Sequence, residues 1–265
     1  MEWKRVRNWL ILLVLAVDLF LAGNLLYQWR QAEQSLRQAA EDAVAIANSR
    51  GVDISLENIL ALPEEMNLYK TSRSDSIERG AALALLGEGA AQESRGGGVW
   101  VYQTAVGELA FRRGGALEFA VPWNGQGFTD QECAEMLKQA GFDTETALLQ
   151  EYSGAVELTQ RFEQLPVFNS RLVCTCEAGV LQVRGRWMLA QEPVSGGVSL
   201  SRAQLVLALC DLLEEQQVAA PETVQAGYYL QGEDAQSLVL EPAWSVETEQ
   251  GQLILSCMTG KQINF

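Results

Sequence analysis

The chain has 265 residues, of which 48% are hydrophobic and 20% are charged, and this is the composition of a folded globular protein. It contains no histidine, which excludes Ser-His and Cys-His nucleophile pairs, histidine metal sites and pH sensing by imidazole. The formal net charge of −15 argues against binding to nucleic acid, to anionic lipid or to polyanionic wall polymers.

The first predicted element is a transmembrane helix at Trp9–Tyr27. This run of 19 residues is apolar except for Asp18, Gly23 and Asn24. At ~1.5 Å per residue it spans ~28 Å, which matches the thickness of the bilayer hydrocarbon. A cleaved signal peptide is the competing interpretation, but the run is longer than a signal core of about 7–15 residues and no Ala-x-Ala site follows it. The sequence therefore favours an uncleaved anchor.

The charges beside the anchor predict its orientation. Lys4, Arg5 and Arg7 precede the apolar run, whereas basic and acidic residues are mixed behind it. The positive-inside rule therefore places the N-terminus in the cytoplasm and the residues from about 30 onward outside. We expect a single-pass protein of the cell membrane with an extracellular C-terminal domain.

Asp18 is the unusual residue of the anchor. A carboxylate near the bilayer centre costs ~2.5–3.5 kcal/mol, so it should face a partner helix or water, or be protonated, rather than face lipid. Two interpretations stay open: the face that carries Asp18 docks against other transmembrane helices, or a lone anchor tolerates a protonated or snorkelling Asp18. On a helix, Asp18 shares this face with Ile11, Val14, Leu15, Ala22 and Leu25.

Helices and one loop are predicted next. Arg30–Arg50 is rich in Ala, Glu, Gln and Arg and predicts a helical stalk that ends at Gly51. The segment Asp75–Glu78 offers an N-cap acid with Glu three residues on, and it opens an apolar helix that ends at Gly87. The glycine-rich segment Gly89–Gly98 predicts a loop.

The hydrophobic period then changes to two, which is typical of β-strands. Val99–Val106, Leu109–Arg113 and Leu117–Val121 predict an antiparallel meander with glycine turns. A capping box at Thr129–Glu132 opens a helix that ends at Gly141. A helix laid across the meander would complete the first half of the exterior region.

The second half repeats this arrangement of strands and a helix, the helix running from Ser201 to about Gln216. Both halves therefore indicate an α+β fold, with a transmembrane helix followed by antiparallel sheets packed with helices. We predict a cytoplasmic stub and anchor at 1–29, a stalk at 30–51, and two similar subdomains at 52–150 and 151–265. The predicted strands of the second half are Ala155–Phe162, Arg171–Glu177, Val180–Leu189, Ala226–Gln231, Ser237–Leu240, Trp244–Glu249 and Leu253–Met258.

The five cysteines are an odd number for an exported region, so at least one is unpaired within a monomer. Cys174 and Cys176 point to the same face of a predicted strand, and a bridge between them would be strained. We expect most of the cysteines to be small buried thiols rather than redox or metal groups. They are Cys133, Cys174, Cys176, Cys210 and Cys257.

Paired acids and turn serines are the remaining groups that could carry chemistry. The acid pairs lie in turns or at a helix end, where solvated charge is the normal explanation. Ser153 and Ser195 precede glycines in turns and have no histidine base. We therefore predict no catalytic residue, no metal site and no cofactor. The acid pairs are Glu64-Glu65, Glu214-Glu215 and Glu233-Asp234.

Three groups of residues carry a resemblance to a known family. They are Met1–Lys4 with the helix core Val17–Leu21, Pro166–Leu172 leading to Gly185–Trp187, and Gly227–Tyr229 leading to Pro242–Val246. Their order and spacing in one anchored chain resemble those of the YycI family. Members of this family are membrane-anchored regulators of the YycFG (WalRK) two-component system in Gram-positive bacteria. The resemblance extends over nearly the full length.

The resemblance implies a set of partners. Family members act with a sister protein, YycH, and contact the sensor histidine kinase YycG, also called WalK, through membrane helices and exterior domains. The family also has an α+β exterior region related to the YycH domains, and its membrane helix carries an acidic residue at the position of Asp18. We therefore expect a regulator of a kinase that controls the cell wall, and not an enzyme.

The alternative is an anchored exterior module that binds a peptide or a cell-wall fragment, for example by adding a strand to an exposed sheet edge. A groove between sheet and helix would favour this alternative.

A reporter enzyme that is active only outside the cell, fused after Phe265, tests the orientation. We expect activity, because the basic residues lie ahead of the apolar run and hold that side in the cytoplasm. A second reporter that works only in the cytoplasm, fused at the same position, should be inactive. The opposite pair of results would reverse the orientation.

Overall fold

The computed structural model describes residues 3–123, 128–152, 154–189, 193–218, 220–232 and 236–263, and only the backbone of residues 4–6. Within these residues a long N-terminal helix is followed by a large sheet in which antiparallel pairs dominate. The predicted α+β fold class is therefore confirmed.

The first helix, α1, runs from Trp3 to Ser49 without interruption, so that the predicted span and stalk form one helix of 47 residues. At ~1.5 Å per residue it is ~70 Å long. Its continuity follows from the sequence, because the first proline is Pro63 and no earlier residue lacks a backbone N–H. The apolar segment and the folded domain are thus joined by helix and not by a loop.

Four shorter helices follow α1 in the described part of the chain. Ser74 occupies the N-cap position of α3, so the prediction that Asp75 is the cap is wrong by one residue. At the start of α4 the Thr129 hydroxyl accepts a hydrogen bond from the Glu132 N–H, and at the start of α5 Ser201 forms a capping box with Gln204. These helices are α2 Leu56–Leu60, α3 Asp75–Leu86, α4 Asp130–Gln139 and α5 Arg202–Glu215, with a 3₁₀ turn at Arg113–Gly115.

The strands form one sheet with the order β10-β1-β12-β11-β8-β9-β5-β4-β3-β2, while β13 pairs with β12, and β7 lies between β8 and β6. The β11–β8 pair is parallel and the other pairs are antiparallel. The strands are β1 Asn67–Ser72, β2 Ala91–Gly96, β3 Val99–Gln103, β4 Glu108–Phe111, β5 Ala116–Pro122, β6 Leu148–Tyr152, β7 Ala155–Phe162, β8 Leu165–Glu177, β9 Val180–Arg186, β10 Val194–Val198, β11 Thr223–Gly232, β12 Ser237–Thr248 and β13 Gly251–Ser256.

The sequence pattern does not predict β1, β2, β6 or β10, and it predicts a break at Pro242 that the structure lacks. Gly89–Gly98 is not a loop throughout, because Ala91–Gly96 pairs with β3 as an edge strand. The two strands predicted on either side of Pro242 are one strand, β12. Pro242 lies opposite Tyr228, and its carbonyl accepts a hydrogen bond of 2.8 Å from the Cys257 N–H, so the chain continues through the proline in register.

Buried side chains form two large cores. The first packs the end of α1 and α5 against β11, β12 and β13, and the second packs α3 and α4 against β3, β4, β5, β7, β8 and β9. Each core takes residues from both sides of residue 150. The division of the chain into two subdomains at that residue stays a prediction.

The α1–α5 interface fixes the long helix to the first core. Ala40, Ala43, Val44 and Ala47 are buried, whereas residues 7–39 of α1 are exposed. The small alanine side chains let the two helices approach closely, and two of the three alanines, Ala40 and Ala47, have no exposed surface. Arg50 closes the interface with ion pairs to Asp211 (2.8 Å) and Glu214 (2.5 Å) on α5.

Strand β8 joins the two cores. Its first residues lie beside β11, where Val167 is opposite Tyr228, and its later residues pair with β7 and β9. Between these two parts, the Asn169 amide donates to the Leu230 carbonyl (2.9 Å) and accepts from the Leu230 N–H (2.8 Å). The side chain of Asn169 thus replaces a backbone pair where the parallel ladder ends.

Gly185 on β9 lies against the same part of β8. A Cβ atom at this position would lie 2.0 Å from the carbonyl oxygen of Arg171, and the φ angle is +149°. A side chain here would therefore push β9 away from β8.

Gly185→Ala should lower the free energy of unfolding by more than about 2 kcal/mol, because the backbone must move to admit one methyl group. The matched control is Gly80→Ala on the exposed face of α3, where a Cβ meets nothing within 4 Å. That change should raise stability by about 0.5–1 kcal/mol. Denaturation of the detergent-solubilised chain, followed by tryptophan fluorescence, measures both. Equal effects of the two changes would contradict the close β8–β9 contact.

Ala47→Leu should lower the free energy of unfolding by about 1–3 kcal/mol, because it forces a larger side chain between α1 and α5. Ala39→Leu, on the exposed face of the same helix, should change it by less than about 0.5 kcal/mol. The same denaturation measurement compares them. If Ala47→Leu left the free energy of unfolding unchanged, α1 would not pack tightly on α5.

Candidate functional site

The six residues of the predicted docking face all lie on the apolar half of α1 and are exposed in the structure. Their segment belongs to the one described helix that is long and apolar enough to cross a membrane. None of this half is buried within the chain, so its apolar side chains are available to lipid or to other helices. The docking face consists of Ile11, Val14, Leu15, Asp18, Ala22 and Leu25.

Aromatic side chains bracket this segment. Trp9 and Tyr27 lie at its ends, Trp3 and Trp29 lie just beyond, and all four are exposed. Tryptophan and tyrosine favour the two membrane interfaces. Their positions match one bilayer thickness along the helix. Of the basic residues ahead of the run, Arg7 is exposed, and the side chains of Lys4 and Arg5 lie outside the described residues.

The docking face and the α1–α5 interface lie on the same side of α1. On an ideal α-helix of ~100° per residue, Asp18 and Ala47 are ~20° apart around the axis. The three buried alanines of the interface all lie within ~40° of Asp18 by the same geometry. The side of the helix that carries Asp18 in the apolar segment is therefore also the side on which the folded domain is attached.

Charged and polar contacts hold the end of α1 in place. Besides its ion pairs with α5, Arg50 has a raised pKa because of its side-chain hydrogen bonds to Glu214 and Asp211. The Asn48 side chain accepts a hydrogen bond of 2.9 Å from the Ile54 N–H, which fixes the turn that follows the helix. A shift of α1 along or around its axis would break these contacts.

The residues that carry the family resemblance meet around β8. Trp187 and Trp244 are fully buried in separate cores, and Tyr228 and Tyr229 point to opposite faces of β11. At Gly227 a Cβ would lie 2.5 Å from the Pro166 carbonyl oxygen. The part of the resemblance that lies beyond α1 is thus concentrated around β8, where these aromatic residues and Gly227 have packing roles.

An acidic side chain lies beside the same junction. The Glu163 carboxylate accepts hydrogen bonds from the hydroxyls of Tyr69 (2.6 Å) and Tyr228 (3.0 Å). The hydrogen bond to Glu163 raises the pKa of Tyr69, and burial together with that carboxylate raises the pKa of Tyr228. Both phenols therefore stay protonated and hold the β7–β8 turn against β1 and β11.

A buried ion pair links β1 to α3. The Arg73 guanidinium donates hydrogen bonds of 2.6 and 3.0 Å to the Glu78 carboxylate, and it also donates one to the Gly98 carbonyl. The side chains of Arg73 and Glu78 are both about 95% buried. Burial raises the pKa of Glu78, and the Arg73 guanidinium opposes that shift. Removing one partner of such a pair is strongly destabilising, so the contact is a structural link between the cores.

The other groups that the sequence singled out are scattered. Glu64 pairs with Arg202 (3.0 Å) and Glu214 pairs with Arg50, while Glu65 and Glu215 are exposed. Ser153 and the pair Glu233-Asp234 lie outside the described residues. Among the described residues, no group of three or more acidic, cysteine or histidine side chains is arranged to hold a metal ion.

A groove relevant to the alternative function lies between α3 and α4. It has a volume of about 330 Å³, and its lining includes Leu85, Val106, Val121, Trp123, Met136 and Gln139. The edge strand β6 is also open, and it exposes Leu148, Leu149 and Tyr152. Such edges and grooves are where extended peptides bind other proteins.

No protein-family model matches this chain, and no curated protein matches it. Among solved structures, the chain is similar to an uncharacterized protein from Eubacterium rectale ATCC 33656, with 11% sequence identity, a TM-score of 0.42, and coverage of 77% of this chain and 88% of that one. It is also weakly similar to the Bacillus megaterium YpeB C-terminal domain, with 9% identity, a TM-score of 0.35, and coverage of 73% and 97% respectively.

Proposed function

We propose that the chain is a membrane-anchored extracytoplasmic regulator that modulates a cell-wall-controlling sensor histidine kinase of the YycG (WalK) type. In this proposal the N-terminus is cytoplasmic, the domain is outside, and a YycH-like sister protein takes part in the complex. The observation that carries the proposal is that Asp18 and the α1–α5 interface share one side of an uninterrupted helix.

The carboxyl group supports docking between helices. Its cost of ~2.5–3.5 kcal/mol in the bilayer is reduced when a partner helix supplies a hydrogen-bond donor. Its neighbours on the docking face are aliphatic, and Ala22 leaves room for a close approach. A partner helix with a polar group at mid-membrane and small residues beside it fits this face.

The position of the domain supports contact outside the membrane as well. A helix docked at Asp18 lies on the side of α1 to which α5 and the first core are attached. From Trp29 to Ala40 the helix rises only ~16 Å. The exterior part of the partner would therefore emerge beneath or beside this domain, where α5 and its neighbours could contact it.

The packed end of α1 supports transmission between the two regions. A partner that rotates or displaces the apolar half of α1 moves a helix whose end is fixed by buried alanines and by Arg50. Because helices and packed interfaces resist gradual deformation, the displacement reaches α5 and the first core. The identity of the partner rests on the resemblance to YycI.

The experiment compares three versions of the full chain in membranes that contain the kinase. Asp18→Leu should insert at least as well as the original but lose association and regulation, because the hydrogen bond between helices is gone. Asp18→Asn should keep part of the association and part of the regulation. An amide can still form a hydrogen bond between helices, which contributes ~0.6–2 kcal/mol. Co-purification at matched expression and the output of the kinase are the measurements.

A matched control exchanges two residues of α1. The double change Asp18→Ala and Ala16→Asp keeps the composition and the depth of the carboxyl group but moves it ~160° around the helix. Association should be lost as in Asp18→Leu. If either variant associates and regulates like the original, Asp18 has no role in docking. The groove between α3 and α4 then becomes the better candidate site.

A further inference from the structure

A heptad pattern on α1 continues beyond the apolar segment. Along one side of the helix, side chains recur at alternating spacings of four and three residues, and all of them are exposed and, except for Asp18, apolar. This spacing lets two helices stay in contact by winding around each other in a left-handed coiled coil. We call these residues the heptad seam, and they are Ile11, Leu15, Asp18, Ala22, Leu25, Trp29, Ala32 and Leu36.

The last two seam residues, Ala32 and Leu36, lie in a polar part of the helix. They are the only apolar residues of segment 30–36, and the other five are charged or polar. Leu36 lies ~10 Å beyond Trp29 along the axis, which is farther than lipid chains reach if Trp29 marks the interface. One turn later Ala40 is buried against the folded domain. The seam is therefore open up to Leu36, and the domain covers the same side of α1 from Ala40 onward.

A cleft lies where the seam meets the domain. It has a volume of about 300 Å³ and is bounded by α1, by the end of α2 and by the start of α5. A helix that followed the seam would enter this cleft with its last turns. The cleft is lined by Glu33, Leu36, Arg37, Leu60, Glu64 and Arg202.

The charges of the cleft indicate what a partner helix must carry. Arg37 pairs with Glu41 (3.0 Å) and Arg202 pairs with Glu64 (3.0 Å), whereas Glu33 forms no ion pair within the described part of the chain. Glu33 follows a seam residue directly, which is a position that flanks the contact in a coiled coil. Charged residues at such positions pair with opposite charges on the partner helix. A basic side chain on the partner would therefore match Glu33.

A second copy of this chain fits the seam poorly. Two copies in one membrane have the same orientation, so a symmetric pair places each seam residue against itself. The Asp18 carboxyl group would then face another Asp18 at mid-membrane, where neither ionised group supplies a hydrogen-bond donor. The flanking residue opposite Glu33 would be Gln28, which carries no charge. The chemistry of the seam therefore favours a helix from a different chain.

We propose that the heptad seam binds a transmembrane helix of a different chain, and that this partner continues as a helix into the cleft beside Leu36. The partner carries a hydrogen-bond donor opposite Asp18 and a Lys or Arg opposite Glu33. An apolar side chain of the partner covers Leu36 and Leu60. The proposal rests on the proposed function and adds a second contact, ~27 Å along α1 from Asp18, that the same partner helix makes.

The test places a photo-crosslinking amino acid, p-benzoylphenylalanine, in the full chain in membranes that contain a full-length sensor kinase of the YycG (WalK) type. At position 36 it should crosslink to the kinase. At position 34, which is also exposed but lies ~160° around the helix, it should not. A crosslink from position 36 to a second copy of the chain, or equal crosslinking to the kinase from both positions, would overturn the proposal.

A charge variant tests the cleft without the crosslinker. Glu33→Lys should lower the amount of co-purified kinase at least about fivefold, because an attraction is replaced by a repulsion between like charges. Gln34→Lys should leave that amount unchanged. If Asp18→Leu abolishes association but position 36 gives no crosslink and Glu33→Lys has no effect, the cleft is not a contact and only the present proposal fails. If the original chain does not associate with the kinase at all, the proposed function fails with it.

Discussion

The continuity of α1 is the constraint on which the rest of the structure depends. In a bilayer every backbone N–H and C=O must be paired within the protein, and a single segment achieves this only as a helix. That helix continues beyond the apolar run for about six further turns and ends inside a packed core. The direction of one face of the apolar segment is therefore fixed relative to α5 by helical geometry, with no flexible linker between them.

A second constraint lies at β8, which belongs to both cores. Asn169 bonds to both backbone groups of Leu230, and Gly185 lets β9 approach where β8 leaves β11. The Arg73–Glu78 pair adds a contact between β1 and α3. Because these links are directional and the Arg73–Glu78 pair is also buried, displacement of the first core by α1 is expected to be shared by the second core instead of being absorbed between them.

Much of this arrangement could be predicted from local patterns. The capping residues of α4 and the alternation in β3, β4 and β5 are strong signals, and all appear in the structure. Strand β2 was missed because all six of its residues are exposed and show no alternation, and β10 because it contains Gly196 and Gly197. The residues of the docking face follow from helical periodicity. Their alignment with the interface does not, because only packing shows which side of the stalk meets α5.

If Asp18 docks against another helix as proposed, the magnitudes decide what kind of partner it needs. One hydrogen bond between helices contributes ~0.6–2 kcal/mol, which is less than the ~2.5–3.5 kcal/mol cost of a carboxylate at mid-membrane. The remainder must come from close packing, and the face offers Ala22 for approach and aliphatic side chains on either side of Asp18. A partner that supplies only a hydrogen-bond donor would therefore not offset the full cost of the carboxylate. Specificity thus requires a complementary shape as well as a polar group, which an arbitrary apolar helix does not provide.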